Sequence, residues 1–388
     1  MQMSNTVNIA LIGCGGMMGA HVDGFRQLWE KEIRNFRIIA TCDVCEDRAI
    51  ETAKKISDWQ GIAPTVYSDP EVLLKSEKSL DAVDISVLHR LHHSVALPFI
   101  EAGKHVTIEK PLAMTMRTGK MMLGAVEKAG VVFQVAENYR RSPQERAFNW
   151  AIRSGRIGRL RQIYWIDVGE RLWYWGWRDH VEEAGGGWSM DGGVHFADLF
   201  RYHVGEVDRL YAISKAYHPV RYGKHETMED PIPATVEDCT MAVLTFENGV
   251  TGTWTSTMSA PGAGFSRRAV YGEHGSLMWG EGLQTRTEKL TTDELVNEYM
   301  AQLSESEREK LFPRGITDTV ATELNEFVEA IINGTPIEIT GMEGYKDEAI
   351  SLALYESEVL GEPVSIRDIE NLKIENYQDR FNKALGVK

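Results

Sequence analysis

Residues 7–21 read Val7-Asn-Ile-Ala-Leu-Ile-Gly13-Cys-Gly15-Gly16-Met17-Met18-Gly19-Ala-His21. The run 7–13 is almost wholly apolar and short, which reads as a buried strand. Gly13, Gly15 and Gly16 then allow a tight turn that brings backbone N–H groups up to a pyrophosphate at a helix N-terminus. Met18 stands where G-x-G-x-x-G has its third glycine, and Gly19 follows one residue later. A lone glycine motif is equally a plain strand–helix turn. Its place at the opening of a strand–turn–helix unit gives it the dinucleotide meaning. Gly13, Gly15, Gly16, Met17 and Met18 are therefore the first cofactor-contact candidates.

Working outward, Phe36–Cys42 is a second strand, and Asp43 follows it, 24 residues past Gly19. A carboxylate there accepts hydrogen bonds from the adenosine ribose and repels a 2′-phosphate, favouring NAD over NADP. The competing reading is that Asp43 only caps the next helix. Further strands are expected at 80–87, 104–109 and 131–137, with helices between them, so residues 1–137 form a parallel sheet covered on both faces. From residue 138 the pattern changes. After one helix, strand-like runs follow one another (RLRQIYWIDVG, RLYAISKAYH, TMAVLTF, GVTGTWTSTM, RRAVYGEHGSLMWG) without helices between them. That order predicts a mainly antiparallel sheet in a second, α+β domain over 138–388. The stretch TTDELVNEYMAQLSESEREK is expected to be one solvated helix.

Composition bounds the function. At 388 residues two domains are expected, and 43% apolar with 26% charged residues is ordinary for a globular protein. The formal charge of −15 disfavours nucleic acid and anionic membranes as partners. The N-terminal run is too short for a signal segment and no run approaches a membrane span, so the expected location is the cytoplasm. Cys14, Cys42, Cys45 and Cys239 do not make a disulfide framework, and Cys42-x-x-Cys45 lacks a second pair. No metal is expected.

Two segments carry chemistry. Thr107-Ile-Glu109-Lys110-Pro111 ends the fourth predicted strand, and ligands of open α/β sheets bind outside the carboxyl ends of strands. A lysine there stabilises negative charge developing on a substrate oxygen. The second is Gly185-Gly186-Gly187-Trp188-Ser-Met-Asp191-Gly192-Gly193-Val-His195-Phe-Ala-Asp198. If helical, it puts Asp191 and His195 on one face, a carboxylate beside a residue suited to general-base work near neutral pH. The triple glycine reads as a flexible approach that admits a ligand.

With these residues the chain resembles the Gfo/Idh/MocA oxidoreductase family. The resemblance rests on GCGGMMGAH (13–21), AGKHVTIEKPLAMT (102–115), AENYRRSP (136–143), GWR (176–178), GGGWSMDGGVHFAD (185–198) and ELNEFVEAIINGTPIEITGMEG (323–344). It implies a Rossmann domain and a second domain with a large open sheet that binds substrate and mediates homodimers or homotetramers. It implies NAD as cofactor and a secondary alcohol of a sugar, glycoside or cyclitol as substrate. It also implies Lys110, Asp191 and His195 as catalytic residues, with His195 taking the hydroxyl proton, Lys110 holding the reacting oxygen and Asp191 positioning substrate or the imidazole. Glu109, Lys110, His89 and His92 join the cofactor contacts, and Asn138, Trp177 and Arg178 join Asp191 and His195 on the substrate side. Many members carry Thr-Pro-Asn where this chain has Val87-Leu88-His89. Four of the ten tryptophans (Trp173, Trp175, Trp177, Trp188) lie within sixteen residues. They suit either a sugar-binding wall or a packed core. A glycosidase using transient oxidation, an NAD-dependent sensor and a reductase working in reverse are the rival readings.

Overall fold

The computed structural model describes residues 6–388. Its first compact unit runs to Ala113 and takes in Thr118–Ser142 and Ser304–Gly344. Six strands, β1 (Val7–Ile12), β2 (Phe36–Cys42), β3 (Thr65–Tyr67), β4 (Ala82–Ile85), β5 (His105–Glu109) and β6 (Phe133–Ala136), make one sheet in the order β3-β2-β1-β4-β5-β6. Every pairing is parallel. All four residues of β4 and of β6 are buried, Asp84 and Gln134 included, because helices cover both faces of the sheet. The order reverses direction between β1 and β4, so the crevice outside the carboxyl ends opens there. Gly13 leaves β1 at φ +85°, and a Cβ on it would lie 2.2 Å from the Ser86 carbonyl oxygen beyond β4. Only glycine fits.

The helix Thr319–Asn333 starts on Asp318, whose side chain accepts the Ala321 N–H at 2.8 Å, and stops at the left-handed Gly334. Its Val320, Ala321, Leu324, Phe327 and Val328 share one buried cluster with Val22, Phe25 and Leu28 of the first helix, Gly16–Glu30. A Cβ on Gly24 would come within 3.1 Å of Leu324 and 3.2 Å of the Ala321 backbone, so the two helices approach closely. The expected continuous second domain over 138–388 is thus corrected: 304–344 return to the first unit. Helical periodicity shows that an apolar face exists, not which core will bury it.

The second unit comprises Met114–Arg117, Pro143–Leu303 and the chain from Tyr345 onward. Strands β7 (Leu160–Val168), β8 (Val207–Lys215), β9 (Val220–Lys224), β10 (Glu229–Pro233), β11 (Cys239–Phe246), β12 (Thr251–Thr257), β13 (Phe265–Gly272), β14 (Gly275–Met278), β15 (Gly282–Thr285), β16 (Lys289–Leu290) and β17 (Val364–Ser365) occur in chain order. Nine form one sheet, β16-β15-β14-β13-β7-β12-β11-β8-β17, and β9 and β10 make a separate hairpin. All of its pairings are antiparallel except β7 with β12. The period-two pattern gives the sheet two unlike faces. Trp165, Leu210, Ala212, Ala242, Leu244 and Trp254 are buried. Phe196 and Phe200 of the helix Gly193–His203 pack edge-on and tilted against Trp165 and Trp254. On the other face Tyr211, Ile213, Met241 and Val243 are exposed.

The single solvated helix expected over 291–310 is two, Thr292–Gln302 and Glu305–Leu311. Each begins with a capping box, Thr291 with Glu294 and Ser304 with Glu307. A second cap inside the charged run stops the first helix and starts another. The first is not solvated all round, since Leu295 and Tyr299 are buried. Among the described residues no helix is long and apolar enough to cross a membrane.

Candidate active site

The glycine turn has the form a pyrophosphate requires. Gly15 caps the helix Gly16–Glu30, there is no acidic residue in its first turn, and a Cβ on Gly15 or Gly16 would meet nothing within 4 Å. Backbone N–H groups at the positive end of a 15-residue helix are therefore left uncovered by side chains. The residues present fit NAD. Met18, in place of the third glycine, is fully buried and joins the core under the helix, while Met17 is half-buried. Asp43 uses Oδ2 to accept the Cys14 N–H at 2.7 Å and Oδ1 to accept the Cys45 N–H at 2.8 Å. Cys45 caps the helix Glu46–Gln60. Asp43 thus fixes both the glycine turn and the next helix start. Burial raises the Cys42 and Cys14 thiols to about 12 and about 11. This is unlike a reactive C-x-x-C.

These contacts separate two kinds of glycine. Gly13→Ala is expected to lower the melting temperature, because the left-handed backbone alone costs about 1–2 kcal/mol and the methyl meets Ser86. Gly15→Ala is expected to leave melting almost unchanged and to weaken NADH binding, since the methyl occupies the pyrophosphate's approach. Thermal denaturation with NADH fluorescence titration checks both. Full NADH affinity in Gly15→Ala would show that the turn does not hold the coenzyme.

Behind the end of β5 lies a buried charge cluster that the sequence did not announce. His21, in the second turn of the helix Gly16–Glu30, places Nδ1 at 2.8 Å from Asp84 and Nε2 at 2.9 Å from Glu109. With a carboxylate at each ring nitrogen, an imidazolium donates to both. Burial pulls the His21 pKa down, but Asp84 and Glu109 together hold it well above the ordinary value. Glu323 is pushed up well above the carboxylate range by burial, which outweighs Arg141 and His21. Glu109, expected as a cofactor contact, holds His21, and its neighbour Lys110 is half-buried. His92, another expected contact, is fully buried, with Nδ1 2.9 Å from the Pro111 oxygen and Nε2 3.2 Å from the Val87 oxygen. Burial lowers its pKa to about 4. As a neutral ring it has one N–H to donate, and through Nδ1 it ties the loop after Lys110 to the helix His92–Glu101. His89 is buried and packs edge-on against His92, with ring centroids 5.6 Å apart. Among the described residues no three His, Cys, Asp or Glu side chains converge as a metal site.

Asn138 donates from Nδ2 to Thr319 Oγ1 at 2.8 Å. That amide is engaged at the start of the Thr319–Asn333 helix.

In the second unit the short helix Trp188–Asp191 runs into Gly193–His203 through Gly192, which keeps right-handed helical angles (φ −92°, ψ −25°). Asp191 and His195 therefore stay one turn apart, and both are buried, at 7% and 8% exposure. Arg178 Nε donates to Asp191 Oδ1 at 3.2 Å, and its guanidinium lies 4.5 Å from the Trp177 ring centroid. The segment Trp177-Arg178 is thus brought to Asp191. Asp179 fixes it by accepting the Trp175 N–H at 2.6 Å and pairing with buried Arg221 at 3.2 Å. Trp173, Trp175 and Trp188 form a chain of ring contacts at 5.6 and 5.3 Å, and Trp173 also meets His225 next to the β9–β10 hairpin. The triple glycine is not an open approach. A Cβ on Gly185 would lie 2.9 Å from Met114, on Gly186 2.3 Å from the Tyr355 hydroxyl, and on Gly187 2.7 Å from the Glu237 carbonyl oxygen. These glycines exist because other groups press against the backbone.

The parallel order of the first sheet, with its glycine turn at the point of reversal, defines a dinucleotide-binding protein of the doubly wound class. Residues 7–137 match the oxidoreductase family, NAD-binding Rossmann fold, and residues 146–278 match the GFO/IDH/MocA C-terminal domain. The 1,5-anhydro-D-fructose reductase of Ensifer adhaerens is 31% identical over 311 residues, covering 79% of this chain and 85% of its own. Levoglucosan dehydrogenase of Pseudarthrobacter phenanthrenivorans is 28% identical over 391 residues, covering 90% and 96%. A solved levoglucosan dehydrogenase in complex with NADH shares the fold, with a TM-score of 0.75 at 24% identity over 93% of this chain and 99% of that one. The chain belongs to the Gfo/Idh/MocA family of NAD-binding oxidoreductases.

Proposed function

We propose that this enzyme oxidises a secondary alcohol of a sugar, glycoside or cyclitol to a ketone, with Lys110, Asp191 and His195 as its catalytic residues. The observation that carries the reading is the pair Asp191 and His195, buried one helical turn apart with Arg178 on the carboxylate. The relatives named above, which act on anhydrosugars by their names, support the substrate class. Bound NAD supplies the hydride acceptor. The protein does the rest. Gly15 and Gly16 would hold the pyrophosphate, Asp43 would accept from the adenosine ribose, and His195 accepts the hydroxyl proton as the carbon-bound hydrogen leaves. Lys110 hydrogen-bonds the reacting oxygen and stabilises its developing negative charge. Asp191, its charge balanced by Arg178, orients the imidazole or a substrate hydroxyl, and Trp177 offers an aromatic face to the sugar ring. The four free cysteines accord with a reducing, cytoplasmic setting.

The test is NADH formation across a panel of sugars, glycosides, anhydrosugars and inositols with NAD or NADP. Turnover with NAD on one carbohydrate class is the expected result. Tightly held NAD with no net NADH on any compound would replace it with an internal redox cycle.

The same reading includes a homo-oligomer built on the exposed sheet face. Val243 pairs with Tyr211 and Met241 with Ile213 across β11 and β8, so these side chains form one apolar patch. Replacing Met241 and Val243 together by lysine is expected to give a monomer by light scattering, with a folded circular dichroism spectrum. An oligomer of unchanged size would place the interface elsewhere.

A further inference from the structure

We propose that Glu237 is a positioning residue, clamping the glycine segment from behind so that Asp191 and His195 meet substrate in a single geometry. The inference rests on the catalytic reading above. Glu237 lies just before β11, 50 residues from the backbone it holds. Its Oε2 accepts the Gly187 N–H at 2.7 Å, and its Oε1 accepts the Ser189 N–H at 3.0 Å and the Tyr355 hydroxyl at 2.9 Å. Tyr377, whose ring stacks on Tyr355 at 4.6 Å, donates its hydroxyl to the Gly185 oxygen at 2.9 Å. Ser189 is held from the other side, donating to Thr240 Oγ1 at 2.8 Å.

The chemistry of this clamp calls for a carboxylate. Gly187 and Ser189 open the Trp188–Asp191 helix, so their N–H groups have no acceptor within it. One carboxylate accepts both, with a lone pair left for Tyr355. A glutamine in the same place has one acceptor oxygen and an amide that would point N–H at N–H. The glycines follow from the clamp, because a side chain on Gly186 or Gly187 collides with Tyr355 or Glu237. Nothing in Glu237 touches the reacting atoms; it acts through the three residues between Gly187 and Asp191. Burial pushes its carboxyl up, and the two backbone N–H groups and Tyr355 oppose that. The other ionisable groups around it are Tyr377, Lys215 with its partner Glu358, and Arg380, which line the adjoining cavity of about 210 Å³.

Glu237→Gln, Tyr355→Phe and His195→Ala are compared in the full-length enzyme, on the substrate found in the panel. For Glu237→Gln, kcat is expected to fall about 10–100-fold, with NADH affinity and far-UV circular dichroism unchanged. The deuterium isotope effect on kcat, measured with substrate labelled at the reacting carbon, should rise as hydride transfer becomes limiting. Tyr355→Phe should move the acid limb of the kcat profile to higher pH, because it removes a hydrogen bond that favours the ionised carboxylate. A Glu237→Gln enzyme with wild-type kcat and isotope effect, beside an inactive His195→Ala enzyme, overturns the positioning role alone. Loss of kcat in parallel with NADH affinity and helicity also overturns it, since that is unfolding. An active His195→Ala enzyme overturns the catalytic reading, and the inference with it.

Discussion

His195→Ala is expected to lower kcat by about 10²–10⁴-fold, with NADH affinity close to that of the unaltered enzyme. In the proposed reading the His195 imidazole, buried one turn from Asp191, accepts the proton, and alanine leaves that proton with no positioned acceptor. In the proposed reading the glycine turn of the first unit holds the coenzyme, so NADH binding is the built-in control for folding. Lys110→Ala is expected to lose about 10²–10³-fold, the range for removing one group that stabilises a developing oxyanion. The two effects should not add. If both residues serve one proton and hydride transfer, the double variant is little slower than the worse single one. Losses that multiply would separate the residues into independent roles, and a fully active His195→Ala enzyme would dismiss His195 as the base. Imidazole added to His195→Ala is expected to restore part of the rate, which a merely structural histidine would not permit.

The second large effect concerns stability. His21→Leu is expected to cost about 3–5 kcal/mol, because it removes the positive partner of two buried carboxylates, Asp84 and Glu109. The melting temperature should fall, and with it activity, since Glu109 is the immediate neighbour of Lys110. The pH dependence has a definite sign. The folded pKa of His21 is raised well above its ordinary value of 6.5. Its contribution is therefore complete below the unfolded pKa and is lost as pH rises through the folded one. Unaltered protein should lose stability as the solution becomes alkaline, and His21→Leu should lack that part of the slope. Denaturant titrations at several pH values on both proteins measure it. Parallel curves would mean that His21 is neutral in the folded state, with a proton on one of the carboxyls instead.

Much of the first sheet was legible because its signals are local. A run such as 7–12 followed by Gly13-x-Gly15-Gly16 needs only its own residues to specify strand, turn and helix start. The three-residue strand β3 and the β9–β10 hairpin were not legible. The first is too short for any period to register, and the second carries Pro231 and Pro233 in a strand whose residues are mostly exposed. The D-x-x-x-H spacing in 191–195 puts both residues on one helical turn because Gly192 stays helical. The triple glycine misled because flexibility and close approach demand the same residue.

By itself the sequence determined the alternation of strands and helices, the glycine turn, and the placing of Lys110 at a strand end and of Asp191 and His195 on one helical turn. Each is a matter of neighbouring residues, fixed by backbone periodicity and by where glycine is tolerated. Tertiary structure alone decided that the Thr319–Asn333 helix packs on the first helix. It also decided that His21 meets Asp84 and Glu109, 63 and 88 residues away, and that Glu237 caps a backbone 50 residues before it. The physical reason is that a buried charge or an uncapped N–H fixes only the kind of partner it needs. The order of strands in each sheet chooses which residue arrives to meet it.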